Sequence, residues 1–406
     1  MTRRDALRLM GVFAGWTLMP RPSSATGGRD PRFLFVILRG GLDGLAAVPP
    51  VGDPQYEIAR EGLVVPIQGP EAGLPLDGFF ALNPNMPVLH GLVKRGEAAI
   101  VHATATPYRD RSHFDGQDVL ESGMPTPARV DTGWLNRLLG VLPAGEPVRA
   151  AGALSIGASV PLVVRGPEPV VTWMSVGFPE VASDTRIRLL ELYRHTDPAL
   201  ARAMEEGLRL AELTGSEADM AAALAAGTDA KTKGAAREFS QLASAAGKLL
   251  ASPGGPRIAT LSYPGWDTHL GEGPLKGRLA LLLAALDAAI GGLRRELGPA
   301  WKDTVIVVAT EFGRTVAMNG TFGTDHGTAT IAILAGGAVK GGRIIADWPG
   351  LSQAALHNGR DLKPTIDLRA VLKGLLKDHL GVSERVLAET VFPGSEGVRP
   401  LGGLAA

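Results

Sequence analysis

The stretch from Arg257 to Ala309 constrains the fold most. The apolar run Arg257-Ile258-Ala259-Thr260-Leu261 is followed by Arg278 to Leu297, with Leu279, Leu282, Leu283, Leu286, Ile290 and Leu293 at helical spacing, and then by Thr304-Val305-Ile306-Val307-Val308-Ala309. The middle segment is an amphipathic helix. The two flanking runs are apolar without alternation, as strands buried on both faces are. Strand, helix and strand over this distance form a βαβ crossover, so the two strands should be parallel. The chain is therefore read as α/β.

Three further runs read as strands of the same sheet. Phe33 to Leu38 stops at Arg39-Gly40-Gly41-Leu42-Asp43-Gly44, Ala98 to Val101 ends at His102, and Thr330 to Leu334 precedes Gly336-Gly337. Leu154 to Val164 and Val170 to Val176 read as short strands of a peripheral hairpin. Ile366 to Leu380 is a helix with Leu368, Val371, Leu372, Leu375 and Leu376 on one face. Ala199 to Leu250, rich in Ala, Glu and Lys, reads as two or three helices forming an outer layer or cap. There is no repeat and no long linker. One domain over residues 30–393, with a helical insertion at about 185–252, is expected.

The N-terminal residues have the three parts of an export signal: Arg3-Arg4, the apolar stretch Gly11 to Met19, and the small residues Ser23-Ser24-Ala25. The adjacent arginines resemble a twin-arginine signal. Residues 1–25 are expected to direct the chain to the periplasm or the medium, with cleavage after Ala25; the other reading is a short basic amphipathic helix. The apolar stretch is too short to span a bilayer, and no later segment is long and apolar enough. The 41 basic and 41 acidic residues cancel, which removes the electrostatic case for nucleic acid or an anionic membrane as main partner. The absence of Cys excludes disulfides, thiolate metal sites and a cysteine nucleophile.

Ligands of open parallel sheets bind beyond the carboxyl ends of the strands. Acids and histidines collect there: Asp43 after the first strand, His102 and then Ser112-His113-Phe114-Asp115 after the second, Asp267 and His269 after the third, Glu311 and Arg314 after the fourth, Asp325 and His326 just before the fifth. Without thiolates, these residue types are the ligands of zinc and similar divalent ions. Each also has a plainer reading. Asp43 precedes Gly44, as turn residues do. Ser112 is placed to cap a helix. Glu311 can pair with Arg314 three residues on. His326, in Gly323-Thr324-Asp325-His326-Gly327, can be a satisfied structural histidine. His195 and His379 read as surface residues of charged helices.

Taken together, Leu38-Arg39-Gly40-Gly41-Leu42-Asp43-Gly44, Arg111-Ser112-His113-Phe114-Asp115, Gly265-Trp266-Asp267-Thr268-His269, Thr310-Glu311-Phe312-Gly313-Arg314-Thr315 and Gly323-Thr324-Asp325-His326-Gly327, with Gly336-Gly337 and Gly341-Gly342, resemble a bacterial family of exported proteins called domain of unknown function 1501. That family is similar to the alkaline phosphatase and sulfatase superfamily. The resemblance covers about Phe33 to Leu380. It implies an alkaline-phosphatase-like three-layer α/β/α sandwich with a largely parallel central sheet.

The resemblance also implies roles. Asp43 matches the first metal-binding Asp, Ser112 the nucleophile, Asp267 and His269 the ligands of one metal, and His326 the late ligand. Asp267 and His269 are separated by one residue where the superfamily has three. Glu311-Phe312 stands where it has Asp-His, and Phe312 cannot bind a metal. Arg314, Arg111 or His113 can instead stabilise an anion, and a helix starting near Ser112 adds backbone donors. The implied activity is metal-dependent hydrolysis of phosphate or sulfate esters, on a small-molecule or glycan substrate. Ser112, His113 and Arg314 are the catalytic candidates. Asp43, Asp267, His269, Glu311 and His326 are the metal candidates, for zinc first and calcium or magnesium as alternatives. Lack of Cys removes the formylglycine type of nucleophile and favours phosphate. The alternative is a degenerate, non-catalytic exported protein that binds an anionic glycan or a partner through the same site. A lyase or transferase on this fold is a third.

Overall fold

A computed structural model of the chain describes residues 29–143, 152–157, 159–173 and 228–406, with the single positions 148, 193 and 201. The residues read as an export signal, His195, and the helical insertion before Thr228 lie outside these.

Eleven strands occur among the described residues: β1 (Arg32–Arg39), β2 (Leu74–Pro75), β3 (Ala81–Leu82), β4 (Ala98–Ala105), β5 (Ala153–Ile156), β6 (Val170–Trp173), β7 (Ile258–Pro264), β8 (Thr304–Thr310), β9 (Thr330–Ala335), β10 (Arg343–Ile345) and β11 (Ile366–Asp367). β2 and β3 form a small separate ribbon. The other nine make one sheet in the order β10-β4-β9-β8-β1-β7-β5-β6, with β11 also beside β4. β1 lies between β7 and β8 and is parallel to both, with Phe35 opposite Thr260 and Val307. The expected crossover from β7 to β8 through the Arg278–Leu297 helix is present, and it passes over β1.

β9 is the antiparallel strand of this sheet, paired with β4 and β8. Its first residues therefore sit at the edge where β8 ends, and the Gly313 amide donates to the Thr328 carbonyl at 3.0 Å. This reversal is why His326, which precedes a strand, can meet residues that follow strands.

The continuous apolar strands divide their side chains between two cores, since successive residues point to opposite faces. Leu34, Val36 and Leu38 join Leu282, Leu286, Ile290 and Leu293 of the Arg278–Leu297 helix, together with Leu242, Leu249 and Leu250 of the Thr228–Ala251 helix. Phe33, Phe35 and Ile37 join Trp134, Leu135 and Leu138 of the Trp134–Val141 helix and Val371, Leu372, Leu375 and Leu376 of the Leu368–Leu380 helix. The result is three layers, α/β/α, as expected. Trp134 meets Phe35 edge to face at 5.0 Å between ring centres, a geometry worth about 1 kcal/mol beyond its buried area.

Four readings change. β5 and β6 are parallel, Ala153 opposite Val170, at the edge of the main sheet; they are no hairpin, because the chain between them runs back through the Leu162–Val164 turn. β4 continues past His102 to Ala105, with a bulge where Ala103 takes φ 53°. His379 is buried, donating through Nε2 to the Arg32 carbonyl at 3.0 Å. Glu311 does not pair with Arg314; its partners are given below. Among the described residues no helix is long and apolar enough to cross a membrane.

Candidate metal centre

Four segments at one sheet edge build the centre. β1 ends in Gly40-Gly41. A Cβ on Gly40, at φ +123°, would lie 2.4 Å from the Asp267 amide nitrogen, so only glycine lets the ends of β1 and β7 approach this closely. After β7 the chain carries Asp267 and His269. The 319–327 loop, which brings His326, packs on this segment: a Cβ on Gly323 would lie 2.4 Å from the His269 carbonyl. Beyond β4, the His113–Ser122 helix brings His113 as its first residue.

The three histidines share one arrangement. His113 Nδ1 donates to Glu311 Oε1 at 2.9 Å, His269 Nδ1 to Asp325 Oδ1 at 3.0 Å, and His326 Nδ1 to the Arg111 carbonyl at 2.9 Å. Each acceptor fixes the tautomer, so in the neutral ring the free lone pair is on Nε2. All three Nε2 atoms turn to Asp267: 3.5 Å for His113 to Oδ2, 3.0 Å for His269 and 3.3 Å for His326 to Oδ1. The ligand atoms of His113, Asp267 and His326 lie within 4.8 Å of one another. His269 Nε2 adjoins His326 Nε2 at 2.9 Å.

The electrostatics match a site made for a cation. Burial raises the Asp267 carboxyl, but the bonds from His113, His326 and Arg314 outweigh it and hold the group well below the usual carboxylate range. Asp267 and then Glu311, against burial, lift the His113 imidazole to about 9. Without another cation His113 therefore carries the charge itself.

The sequence-derived candidates separate into two groups. Asp267, His269, His326 and His113 come together. Asp43, Glu311, Arg314 and Ser112 surround them in other roles. Asp43 caps the helix Gly44–Ala47, accepting from the Leu45 and Ala46 amides, and its second oxygen is held by the buried guanidinium of Arg60. It is not in the cluster. Glu311, fully buried, accepts from the Gly40 amide at 2.8 Å, from His113 and from Gln117 at 3.1 Å. It orients a ligand from behind, and these bonds outweigh burial to keep its carboxyl below the usual range. Arg314, buried, donates to Asp267 Oδ1 at 2.6 Å and is steadied by Thr324. Ser112 caps its helix with a long 3.5 Å bond from the Asp115 amide. Its neighbours on either side, Arg111 and His113, both touch the centre.

One buried residue escaped the sequence reading. Asp361 binds Arg111 through Nε and Nη2, at 2.9 and 2.7 Å, and Arg360 at 2.8 Å. Arg111 gives its carbonyl to His326 Nδ1, and Arg360 donates to the His326 carbonyl. Asp361 thus braces His326 on both sides. Its only signal was a buried charge between basic residues in a loop, which no local motif marks.

These residues fit a metal ion. His113 Nε2 is buried and has no well-formed hydrogen bond, its neighbour being Asp267 Oδ2 at 3.5 Å, which leaves room for a bound cation at that polar atom. Two imidazoles and a carboxylate, His113, His326 and Asp267, lie within mutual reach, with His269 Nε2 beside His326 and Asp267; these are donor types that zinc prefers.

A family model described as "Protein of unknown function (DUF1501)" matches residues 87–391, most of the chain. A search of curated proteins finds no match. Among solved structures the chain is similar to the phosphonate monoester hydrolase SpPMH from Silicibacter pomeroyi, at 12% identity and TM-score 0.45, covering 92% of this chain and 76% of that one. It is similar also to a protein in the alkaline phosphatase superfamily from Vibrio parahaemolyticus, at 12% identity and TM-score 0.38, covering 92% and 71%. A third is the C-terminal periplasmic domain of EcEptC from Escherichia coli, in complex with Zn, at 11% identity and TM-score 0.34, covering 77% and 74%.

Proposed function

The chain belongs to the DUF1501 family, and on that premise we propose that it is an exported metal-dependent hydrolase of phosphate or sulfate esters. The observation that carries this reading is the convergence of three Nε2 atoms on Asp267, each from a ring whose Nδ1 is already held. His113, Asp267, His269 and His326 hold the ion, and this donor set favours zinc over calcium or magnesium. Bound there, a divalent ion supplies Lewis-acid polarisation of the ester oxygen.

The chain's own residues do the rest. His113, His326 and Arg314 keep Asp267 ionised, and Arg314 fixes it with a 2.6 Å bond. Glu311 and Asp325 hold the imidazoles in the tautomer that leaves Nε2 free. Ser112 is the candidate nucleophile: it caps the His113–Ser122 helix and directly precedes His113, and the first amides of a helix are donors suited to an anionic group. Residues 1–25 act as the export signal, and the mature chain works in the periplasm or outside the cell.

The test is hydrolysis of p-nitrophenyl phosphate and p-nitrophenyl sulfate by purified protein. Turnover that stops with a chelator and returns with zinc, and that falls at least a hundredfold in Ser112→Ala, supports the reading. Full activity in Ser112→Ala removes Ser112 as nucleophile. No turnover of either ester by zinc-loaded protein favours non-catalytic binding of an anionic ligand. The packing of buried Phe312 against His113 and His326, at 4.9 and 5.0 Å between ring centres, favours that second reading, because a phenyl ring beside two candidate ligands offers an ion no donor.

A further inference from the structure

Among the described residues only a few large apolar side chains are strongly exposed, and three of them stand on the segments that deliver the histidines: Phe114 at 90%, Leu270 at 72% and Phe322 at 71%. Phe114 follows His113. Leu270 follows His269. Phe322 lies in the loop that delivers Asp325 and His326. Scattered apolar residues on a surface need no explanation. Three on the three segments that carry the histidine ligands are a different matter.

The loop around Phe322 is built to hold it there. Leu270 and Phe322 lie on paired loops: the Gly271 amide donates to the Thr321 carbonyl at 3.0 Å and the Glu272 amide to the Phe322 carbonyl at 2.8 Å. Phe322 has φ +59°, a left-handed conformation that is unfavourable for a bulky residue. Asn319 enforces it. Its Oδ1 accepts from the Thr321 and Gly323 amides and the Thr321 hydroxyl, and its Nδ2 donates to the His269 carbonyl and to Asp325. The Thr321 hydroxyl donates to the His269 carbonyl as well. Backbone strain of this kind persists only where surrounding structure over-determines it, and it concentrates at ligand clamps. The polar groups of Asn319 and Thr321 are spent inside the loop, so the loop offers an incoming molecule its aromatic ring rather than hydroxyl-binding amides.

We propose that Phe114, Leu270 and Phe322 form an apolar collar around the mouth of the metal centre, and that the substrate is an ester whose leaving group is a large apolar body, aryl or alkyl, rather than a sugar or a small alcohol. The inference rests on the reading of the centre as an anion-binding metal site and names its substrate class. The anionic head meets the metal, and the apolar body covers side chains that otherwise stay in water.

Binding separates the two layers of this account. Calorimetry with zinc-loaded full-length protein compares phenylphosphonate, octylphosphonate and methylphosphonate, in the wild type and in Phe114→Ser/Phe322→Asn and Leu270→Ser. Asn tolerates the left-handed backbone, and all three positions are exposed, so zinc content stays at the wild-type level and is measured alongside. The phenyl or octyl compound should bind wild type at least tenfold more tightly than the methyl compound, about 1.4 kcal/mol. That ratio should fall to within threefold in Phe114→Ser/Phe322→Asn and drop by at least half in Leu270→Ser, while methylphosphonate affinity is unchanged. A phenyl preference alone makes the body aryl; an octyl preference alone makes it an alkyl chain. Equal affinities for all three compounds overturn the collar and leave the metal site standing. An unchanged ratio in the variants does the same. No binding of any phosphonate by zinc-loaded protein overturns the anion-site reading and the collar with it.

Discussion

The Nε2 atoms of His269 and His326 face each other at 2.9 Å, while each ring gives its Nδ1 proton to a fixed acceptor, Asp325 or the Arg111 carbonyl. Two neutral rings so placed oppose their lone pairs. A cation between or beside them removes the repulsion, as a proton or as a metal. Asp267, held ionised by Arg314 at 2.6 Å, supplies the matching negative charge.

Glu311 reaches the proposed metal site through His113. Removing it in Glu311→Ala frees the imidazole to rotate and strands the Gly40 amide and Gln117. Zinc affinity should fall about 10- to 100-fold, as read by competition with a chromophoric chelator. Glu311→Gln keeps one acceptor oxygen and should lose less. Equal affinities in Glu311→Ala and the wild type would place Glu311 outside the centre.

At the proposed site, zinc has to displace the proton from His113, whose neighbours Asp267 and Glu311 lift its pKa to about 9. Apparent zinc affinity should therefore rise about tenfold per pH unit between pH 7 and about 9, then level off. The stability of the metal-free protein moves the other way. A raised folded-state pKa contributes stability that is fully present below about 6.5 and is lost as pH rises towards 9. A flat affinity profile in chelator competition would contradict the charged state assigned to His113.

How much of this was legible in the sequence depends on whether a residue's role is local. The run Phe33–Leu38 and the segment Arg257–Ala309 specify buried strands and a crossover by pattern alone, and both appear as read. Asp267, His269 and His326 stand on short glycine-bounded turns at strand ends, and the sheet edge brings them together. Roles that depend on a partner far along the chain were not visible. Nothing near Asp43 shows that Arg60 claims it. Nothing near Glu311 shows that His113, 198 positions away, is its partner. His379 looks polar and helical in sequence, yet it is buried because its helix lies against the first residues of β1. In sequence the β5–β6 pair looks like a hairpin because proximity is the one cue there; the parallel sheet sets their direction.

His102 and His379 make the fold sensitive to acid, independently of the centre. His102 Nδ1 accepts from the Ala103 amide at 2.8 Å and Nε2 donates to the Val48 carbonyl at 2.9 Å. His379 has the same pattern, with Arg29 on Nδ1 and the Arg32 carbonyl on Nε2. Protonating either nitrogen acceptor breaks a bond, and burial lowers both pKa values from 6.5 to about 4. A depressed folded-state pKa gives stability that is present above 6.5 and is lost as pH falls towards 4, about 3 kcal/mol for each histidine. Urea titrations at pH 7 and pH 4.5 check this. His379→Gln, which keeps a donor to Arg32, should show a smaller loss; an identical loss would exclude His379 as a source.

Asp361 is fully buried between Arg111 and Arg360. Asp361→Ala leaves two guanidinium groups without their partner and should cost about 3 kcal/mol. Because both arginines hold His326, zinc affinity should fall as well, by at least tenfold in chelator competition below the melting transition. A destabilised protein with wild-type zinc affinity would separate Asp361 from the centre.

The most direct test of the central claim is the metal content of the purified protein by elemental mass spectrometry, with Asp267→Ala and His326→Ala alongside. The expected result is about one zinc per wild-type chain and loss of the metal in both variants, with circular dichroism unchanged. Wild-type protein that stays metal-free when dialysed against zinc, or variants that keep the ion in full, would contradict the account.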